Sequence, residues 1–119
     1  MSLSKIQANN VNVALRDIVK ATFPAAKMTE ELRVGVKLFR FRIMTMFGEF
    51  ECVTFNDTYS NYFSFIGRFL DDTRYANVRA CTQVSPFFNS FSGRITMTSK
   101  DSMDLVAEVA IALNAMIKA

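Results

Sequence analysis

Cations and flat apolar side chains alternate within residues 34–55, VGVKLFRFRIMTMFGEFECVTF. Successive side chains of a β-strand point to opposite faces, so a strand here divides these residues into two rows. One row is apolar and typical of a core: Phe39, Phe41, Ile43 and Thr45. The other mixes guanidinium groups with apolar residues: Leu38, Arg40, Arg42, Met44 and Met46. Burying two guanidinium groups without partners costs several kcal/mol, so we expect the second row to face water or a ligand.

This mixture favours single-stranded nucleic acid, with DNA favoured over RNA. Lysine and arginine bind phosphates, and rings stack on unpaired bases at about 1–3 kcal/mol per base. We expect phosphate contacts from Arg40, Arg42, Arg79 and Arg94, and stacking from Phe55, Tyr75 and the loop SPFFNSFSG. The complete predicted site comprises Lys37, Arg40, Arg42, Phe55, Tyr75, Arg79, Phe87, Phe88, Phe91, Arg94 and Lys100.

The predicted helices carry few cations, namely Arg16, Lys20, Arg68 and Lys118. Proteins that recognise duplex DNA usually insert a helix into the major groove. The charge distribution therefore favours a sheet and a loop that bind single strands.

Four other interpretations stay open. The arginines could pair with Glu49 and Glu51 across the strands, and Phe87, Phe88 and Phe91 could fold back over the core. The segment SPFFNSF could instead anchor a protein-binding module, for example a small viral inhibitor of a host protein. A structural subunit whose basic segments balance acids on a neighbour is the fourth.

The chain has 119 residues and a net charge of +3, which predicts one domain over residues 1–119. The charges are uneven, since residues 33–42 and 73–100 each hold four cations and no acid. A polyanionic partner responds to such local charge more than to the net charge.

Periodicity predicts an α+β fold, with one helix followed by two ββα units. Helices are expected at 10–23, 56–70 and 101–118, and strands at 32–46, 49–55, 74–84 and 94–99. The four strands would form a mostly antiparallel sheet with the helices on one face. A hairpin loop of Phe47 and Gly48 would place Arg42 opposite Val53 and Arg40 opposite Phe55, although a three-residue loop would change this register.

Enzymatic, metal and cofactor functions are not expected. The chain has no histidine, which is the commonest acid–base group. It has neither a glycine-rich phosphate loop nor a recognisable carboxylate pair. Cys52 and Cys81 are more typical of buried thiols than of a disulfide.

Residue composition also bears on location and assembly. No window has the roughly 18 apolar residues of a membrane span, so we expect no membrane partner and a cytoplasmic location, in the host cytoplasm if the protein is viral. The last helix is apolar on most of its circumference, which indicates either burial within the monomer or a homo-oligomer formed through this helix.

The strand KLFRFRIMTMF and the charge distribution over residues 33–99 resemble small bacteriophage proteins that bind single-stranded DNA. The likeness is to phage cofactors that hold melted promoter DNA and recruit a phage-encoded RNA polymerase. The resemblance implies a non-catalytic, oligomeric single-strand binder that acts in transcription or replication and has an RNA polymerase as partner.

Overall fold

A six-stranded antiparallel sheet and three helices make up the computed structural model, which describes residues 3–117. Along the chain the elements are α1 (Lys5–Thr22), β1 (Lys27–Arg33), β2 (Val36–Thr45), β3 (Gly48–Val53), β4 (Phe63–Phe69), α2 (Ala76–Thr82), β5 (Asn89–Phe91), β6 (Arg94–Ser99) and α3 (Ser102–Asn114). The strands lie in the order β1-β2-β3-β4-β6-β5. The α+β class is confirmed, but the expected four strands are six. The predicted domain, 1–119, also includes residues 1, 2, 118 and 119, which lie outside the described part.

The core lies between one face of the sheet and the helices. The strands contribute the buried side chains Phe39, Phe41, Ile43, Phe50, Phe65, Ile95 and Met97. α1 adds Val11, Leu15 and Val19, and α3 adds Leu105, Val109 and Leu113. Full burial of one such side chain contributes roughly 1.5–3 kcal/mol, so this layer dominates the folding free energy.

The first and last helices begin at capping residues. Ser4 and Gln7 form a reciprocal capping box at the start of α1, so the helix begins earlier than the predicted start at residue 10. The Asp101 carboxylate accepts the backbone N–H groups of Met103 and Asp104 at the start of α3. These bonds satisfy N–H groups that have no partner within the helix. The predicted end of α3 at Lys118 lies outside the described residues, and the helix itself ends at Asn114.

The helix expected at residues 56–70 was wrong. Residues 63–69 form β4, whose buried row is Phe63, Phe65, Gly67 and Phe69. Tyr59, Tyr62, Phe63 and Ile66 fit a helical period by coincidence, while the buried row follows the period of two that a strand requires. Gly67 belongs to this row because the Phe50 ring on β3 occupies the space where a Cβ would lie.

The strand expected at residues 74–84 was also wrong, because residues 76–82 form α2. Its buried residues, Val78 and Cys81, are three apart, as on one face of a helix. The segment AAKMTEE, which lies between the predicted helix at 10–23 and the predicted strand at 32–46, supplies the start of β1. The loop at 85–93 contains the short strand β5. The order is therefore a helix, four strands, a helix, two strands and a helix, so the predicted repeat of two ββα units is wrong.

The β2–β3 hairpin turns at Met46 and Phe47. Thr45 pairs with Gly48, Arg42 with Glu51, and Arg40 with Val53. The predicted turn at Phe47 and Gly48 was one residue late, so the predicted partners of Arg40 and Arg42 are displaced by two positions. A shift of two residues keeps each side chain on its predicted face.

A buried amide pair joins α1 to the sheet. Asn56 Nδ2 donates to Asn12 Oδ1 at 3.0 Å and to the Ser64 carbonyl at 2.9 Å. Asn12 Nδ2 donates to the Lys37 carbonyl at 2.9 Å. Both side chains are buried, so each amide must find partners inside the protein. This network positions α1 against the start of β2 and the loop before β4.

The cysteines are free thiols, as the sequence indicated. Cys52 lies on β3 and Cys81 on α2, and both are buried. Burial raises the pKa of Cys81 to about 12, and burial with the neighbouring Glu51 charge raises the pKa of Cys52 far above its ordinary value. No helix among residues 3–117 has the length and apolar character needed to cross a membrane.

Replacement of Gly67 by alanine is expected to lower the free energy of unfolding by about 1–3 kcal/mol, because the new methyl group would displace the Phe50 ring. Urea denaturation measures the change. Thr98→Ala, at an exposed position of β6, is the control and should stay within about 0.5 kcal/mol of the wild type. A loss below that limit for Gly67→Ala would contradict the close packing of ring and backbone.

Both thiols are expected to resist a thiol-reactive reagent in the native protein at pH 8 and to react once the protein is unfolded. The raised pKa of Cys81, about 12 against 9.0 for the unperturbed group, gives the pH dependence. Above about pH 9 the unfolded state loses the thiol proton while the native state keeps it, so stability should fall as the pH rises toward 12. Rapid labelling of either native thiol would be inconsistent with this burial.

Candidate nucleic-acid interface

One face of the sheet is free of helices over most of its area; the exception is the start of β2, where Val36 and Leu38 are buried together with Ala8 of α1. Residues directly opposite in antiparallel strands point to the same side, so the strand pairing defines this side, here called the outer face. Apart from Ala8 of α1, the buried apolar residues of α1, α2 and α3 belong to the core on the opposite side. The outer face carries Lys27, Thr29, Glu31, Arg33, Leu38, Arg40, Arg42, Met44, Glu49, Glu51, Val53, Ile66, Arg68, Phe91, Arg94, Thr96 and Thr98.

Cations outnumber carboxylates on the outer face. Its cations are Lys27, Arg33, Arg40, Arg42, Arg68 and Arg94, and its carboxylates are Glu31, Glu49 and Glu51. Most of the chain's other acids lie in the loops and on the helices. The outer face is thus a positive surface on a chain whose net charge is only +3.

Glu51 is the centre of an ion-pair cluster. Its carboxylate oxygens lie 3.5 Å from Arg42 Nε, 3.7 Å from a terminal nitrogen of Arg68 and 3.8 Å from one of Arg40. Glu49 also pairs with Arg42 at 3.6 Å, and Glu31 with Arg40 at 3.7 Å. The interpretation in which Glu49 and Glu51 pair with the arginines is therefore confirmed.

The nitrogen–oxygen distances in these ion pairs are long, and the arginine side chains are exposed to solvent. Charge-assisted N–H···O bonds measure about 2.7–2.9 Å, whereas the pairs on this face span 3.5–3.8 Å. The guanidinium side chains are 43–60% exposed. Ion pairs at such sites contribute only about 0–1 kcal/mol each. The carboxylates therefore hold the guanidinium groups in place across the sheet only through weak ion pairs.

A depression of about 360 Å³ lies in the middle of the outer face. Val53 and Ile66 line it together with Arg40, Glu51, Arg68 and Arg94. Among residues 3–117, no carboxylate lies within 4.0 Å of a charged nitrogen of Arg94. The depression therefore combines apolar surface with a guanidinium group that has no acidic partner in the described chain.

Rings lie around the margins of this surface. Phe55 is half-buried beneath Arg33, whose guanidinium carbon is 5.2 Å from the ring centroid. Tyr62, just before β4, is 47% exposed and has Lys100 Nζ 5.9 Å from its ring. Phe91 on the edge strand β5 is 74% exposed. Each ring thus lies near a cation, since Phe91 pairs across the strands with Arg94.

The structure groups some predicted site residues and separates others. Arg40, Arg42, Phe55, Phe91, Arg94 and Lys100 lie on or beside the outer face. Lys37 is exposed but belongs to the opposite row of β2. Tyr75 and Arg79 were expected on a strand, whereas Tyr75 precedes α2 and Arg79 lies within it. Tyr75 adopts φ 56°, and its ring packs over Gly93.

The predicted stacking loop is largely core. Phe88 is only 5% exposed, and the partly buried Phe87 packs against the same core cluster. The interpretation in which the loop rings fold back is thus correct for these two residues and wrong for Phe91. The alternative protein-binding anchor SPFFNSF retains a single fully exposed ring.

The predicted site lacks four cations and rings that lie on or beside the outer face: Lys27, Arg33, Tyr62 and Arg68. Lys27 and Arg33 belong to β1, which has no apolar alternation, and Tyr62 and Arg68 were assigned to a helix. The alternation of Phe63, Phe65 and Phe69 is typical of a strand with one buried row. It could have placed Arg68 on the other, exposed side of that strand.

Comparison of the chain with protein-family models, curated proteins and solved structures finds no match. Within residues 3–117, no group of His, Cys, Asp and Glu side chains is arranged to hold a metal ion. What can be inferred about function therefore comes from the outer face itself.

Replacement of Phe88 by alanine is expected to cost about 3–5 kcal/mol of folding free energy, since it removes a buried ring from the core. The matched variant Phe91→Ala removes an exposed ring and should change stability by less than about 0.5 kcal/mol. Urea denaturation of the two variants measures both values. Equal costs would contradict the different burial of these two rings.

Proposed function

We propose that this protein binds single-stranded nucleic acid, with DNA favoured, across the outer face of its sheet. The observation that carries the proposal is the uncovered sheet face, on which cations exceed carboxylates and exposed rings lie beside them. Proteins that bind single strands without a fixed sequence combine a basic surface with stacking side chains in this manner.

The proposed phosphate contacts come from four arginines that span the middle strands: Arg40, Arg42, Arg68 and Arg94. Their guanidinium groups can donate two parallel hydrogen bonds to one phosphate. Val53 and Ile66 offer a flat apolar floor between them. Phe55, Tyr62 and Phe91 are the proposed stacking partners for bases at the margins.

A flexible single strand suits this surface better than a duplex does. A duplex is usually recognised by a helix in its major groove, and the three helices of the described chain pack mainly on the opposite side of the sheet. A single strand can follow an open sheet and turn its unpaired bases toward apolar side chains.

The carboxylates on the outer face are compatible with phosphate binding. The arginine side chains are 43–60% exposed although Glu51 is only 17% exposed, and the ion-pair distances of 3.5–3.8 Å are long. Such pairs contribute little, so a phosphate that replaces a carboxylate partner loses only a small part of its binding free energy. Arg94 needs no such exchange with any acid in the described chain. Binding is then expected to begin at Arg94 and the depression beside it.

The biological setting that we propose follows from the resemblance described above. It is a non-catalytic role in viral transcription or replication, in the host cytoplasm, with an RNA polymerase as a partner. α3 could also carry an oligomer contact, because Met103, Ile111 and Ile117 are exposed on this segment although most of its apolar residues are buried.

The double variant Arg68→Ala, Arg94→Ala is expected to weaken binding of a labelled single-stranded oligonucleotide roughly tenfold or more, a loss of at least about 1.4 kcal/mol. Fluorescence anisotropy over a salt series measures it. The wild type should show a log–log salt slope of about −0.7 per phosphate contact, and the variant a shallower slope. Lys20→Ala, on the exposed surface of α1, removes a cation from the helical side and should leave affinity unchanged.

The variant Glu51→Gln is expected to act in the opposite direction. It removes a carboxylate that competes with phosphate for Arg40, Arg42 and Arg68, so single-strand affinity should rise. Glu108→Gln on α3 is the matched control and should have no effect. The proposal fails if the wild type binds neither single-stranded nor duplex DNA at low salt, or if Lys20→Ala weakens binding as much as the double arginine variant.

A further inference from the structure

The sheet has two edges that differ in length and protection. β5 forms one edge with only three residues, and a short edge strand offers little backbone for another chain to pair with. β1 forms the other edge with seven residues, all of them exposed. Its pairing with β2 is regular from Lys27 to Arg33, and it contains no proline. β1 therefore presents a long, open row of backbone N–H and C=O groups.

β1 also exposes apolar side chains on the core side of the sheet. Met28 is 38% exposed and Leu32 is 72% exposed, although both belong to the row that faces the helices elsewhere in the sheet. An isolated edge leaves these side chains in water, whereas a neighbouring strand would partly cover them.

We propose that β1 pairs antiparallel with β1 of a second copy of this chain, about a twofold axis at Thr29. Two six-stranded sheets would then become one continuous sheet. A twofold contact uses the same surface on both subunits, so the contact is closed and yields a dimer. The partner is chosen by the charge pattern of β1, which is complementary to itself in one register.

The register follows from which charges meet. With Thr29 opposite Thr29 of the second copy, Lys27 lies opposite Glu31 of the second copy, twice by symmetry. Centring the pair on Glu30 overlaps the full strand but places Glu30 against Glu30 and Lys27 against Arg33. Centring it on Glu31 places Glu31 against Glu31. Like charges directly opposite destabilise strand pairing and unlike charges stabilise it, so the register at Thr29 combines a five-residue overlap with favourable charge pairs.

Charges within the subunit support the same register. Lys27 lies opposite Arg42 in its own sheet, and Glu31 of the second copy would bring a carboxylate to this cationic pair. In the core-side row, Leu32 would lie opposite Ala26 of the second copy. A twofold axis perpendicular to the sheet keeps both outer faces on the same side. If the proposed function holds, the two positive surfaces therefore join into one longer surface for a strand.

Sedimentation velocity over a concentration series tests the pairing without nucleic acid, so its outcome is separate from that of the proposed function. The wild type should form dimers. Lys27→Glu alone and Glu31→Lys alone should each be monomeric, because like charges then face one another across the axis. An equimolar mixture of the two variants should form a heterodimer, because each Lys then meets a Glu.

A disulfide provides the second measurement. Thr29→Cys introduces an exposed thiol next to its own symmetry mate, while Cys52 and Cys81 are buried. Under mild oxidation Thr29→Cys should form a covalent dimer, and the control Thr98→Cys on the outer face should not. The inference is overturned if the wild type is monomeric at all concentrations. It is equally overturned if charge reversal leaves the dimer intact while Met103→Glu and Ile111→Glu on α3 dissociate it, which would assign the contact to α3.

Discussion

The burial of one side of the sheet beneath the helices is the constraint on which the rest of the structure depends. The rings of Phe39, Phe41, Phe50 and Phe65 are almost fully buried, and α1 and α3 supply the aliphatic side chains that cover them. The three helices found in residues 3–117 pack mainly on this side. The other side must then remain compatible with water, which antiparallel sheets allow.

This constraint explains why cations stand inside the strand with the greatest β-propensity. From Phe39 to Thr45 of β2 buried and exposed residues alternate, so Arg40 and Arg42 lie beside buried rings in sequence but on the opposite side in space. The glutamates of β3 then lie opposite or diagonal to them. These glutamates limit the repulsion among the guanidinium groups, and the excess of cations leaves the surface positive.

The sequence predicted the parts of the fold in which local periodicity and tertiary burial agree. α1, β2, β6 and most of α3 have a clear apolar period, and their types were correct. The two rows of β2 were assigned to the correct sides from Phe39 onward, but Leu38, expected to face water or a ligand, is buried with Ala8 of α1. The turn was placed one residue late. In the candidate site, the residues on β2 and β6 were found because these strands were found.

The errors arose where the deciding contact is distant in sequence. Residues 56–70 fit two periods, and the packing of Phe50 over Gly67 is possible only in a strand. β1 has no apolar alternation because none of its residues is buried, so only its pairing with β2 makes it a strand. α2 has only seven residues, and the alternation of alanine and valine in residues 76–84 is also typical of a strand, which led to the wrong prediction. A short segment can fit both a helix and a strand, and its contacts with a neighbouring element decide which of the two forms.

The helices cover neither most of the outer face nor the edge strand β1, so both are exposed for the same reason. The helices that bury β2, β4 and β6 leave the core-side residues of β1 exposed, so the sheet extends beyond its helical layer. Charged side chains can protect an exposed edge strand from association with other chains, and β1 has charges in four of its seven positions. Their arrangement, however, is repulsive in two of the longer self-pairings and attractive in one. A pattern that discriminates between registers favours one defined neighbour over indiscriminate edge association, and that neighbour would enlarge the positive surface without any additional residue.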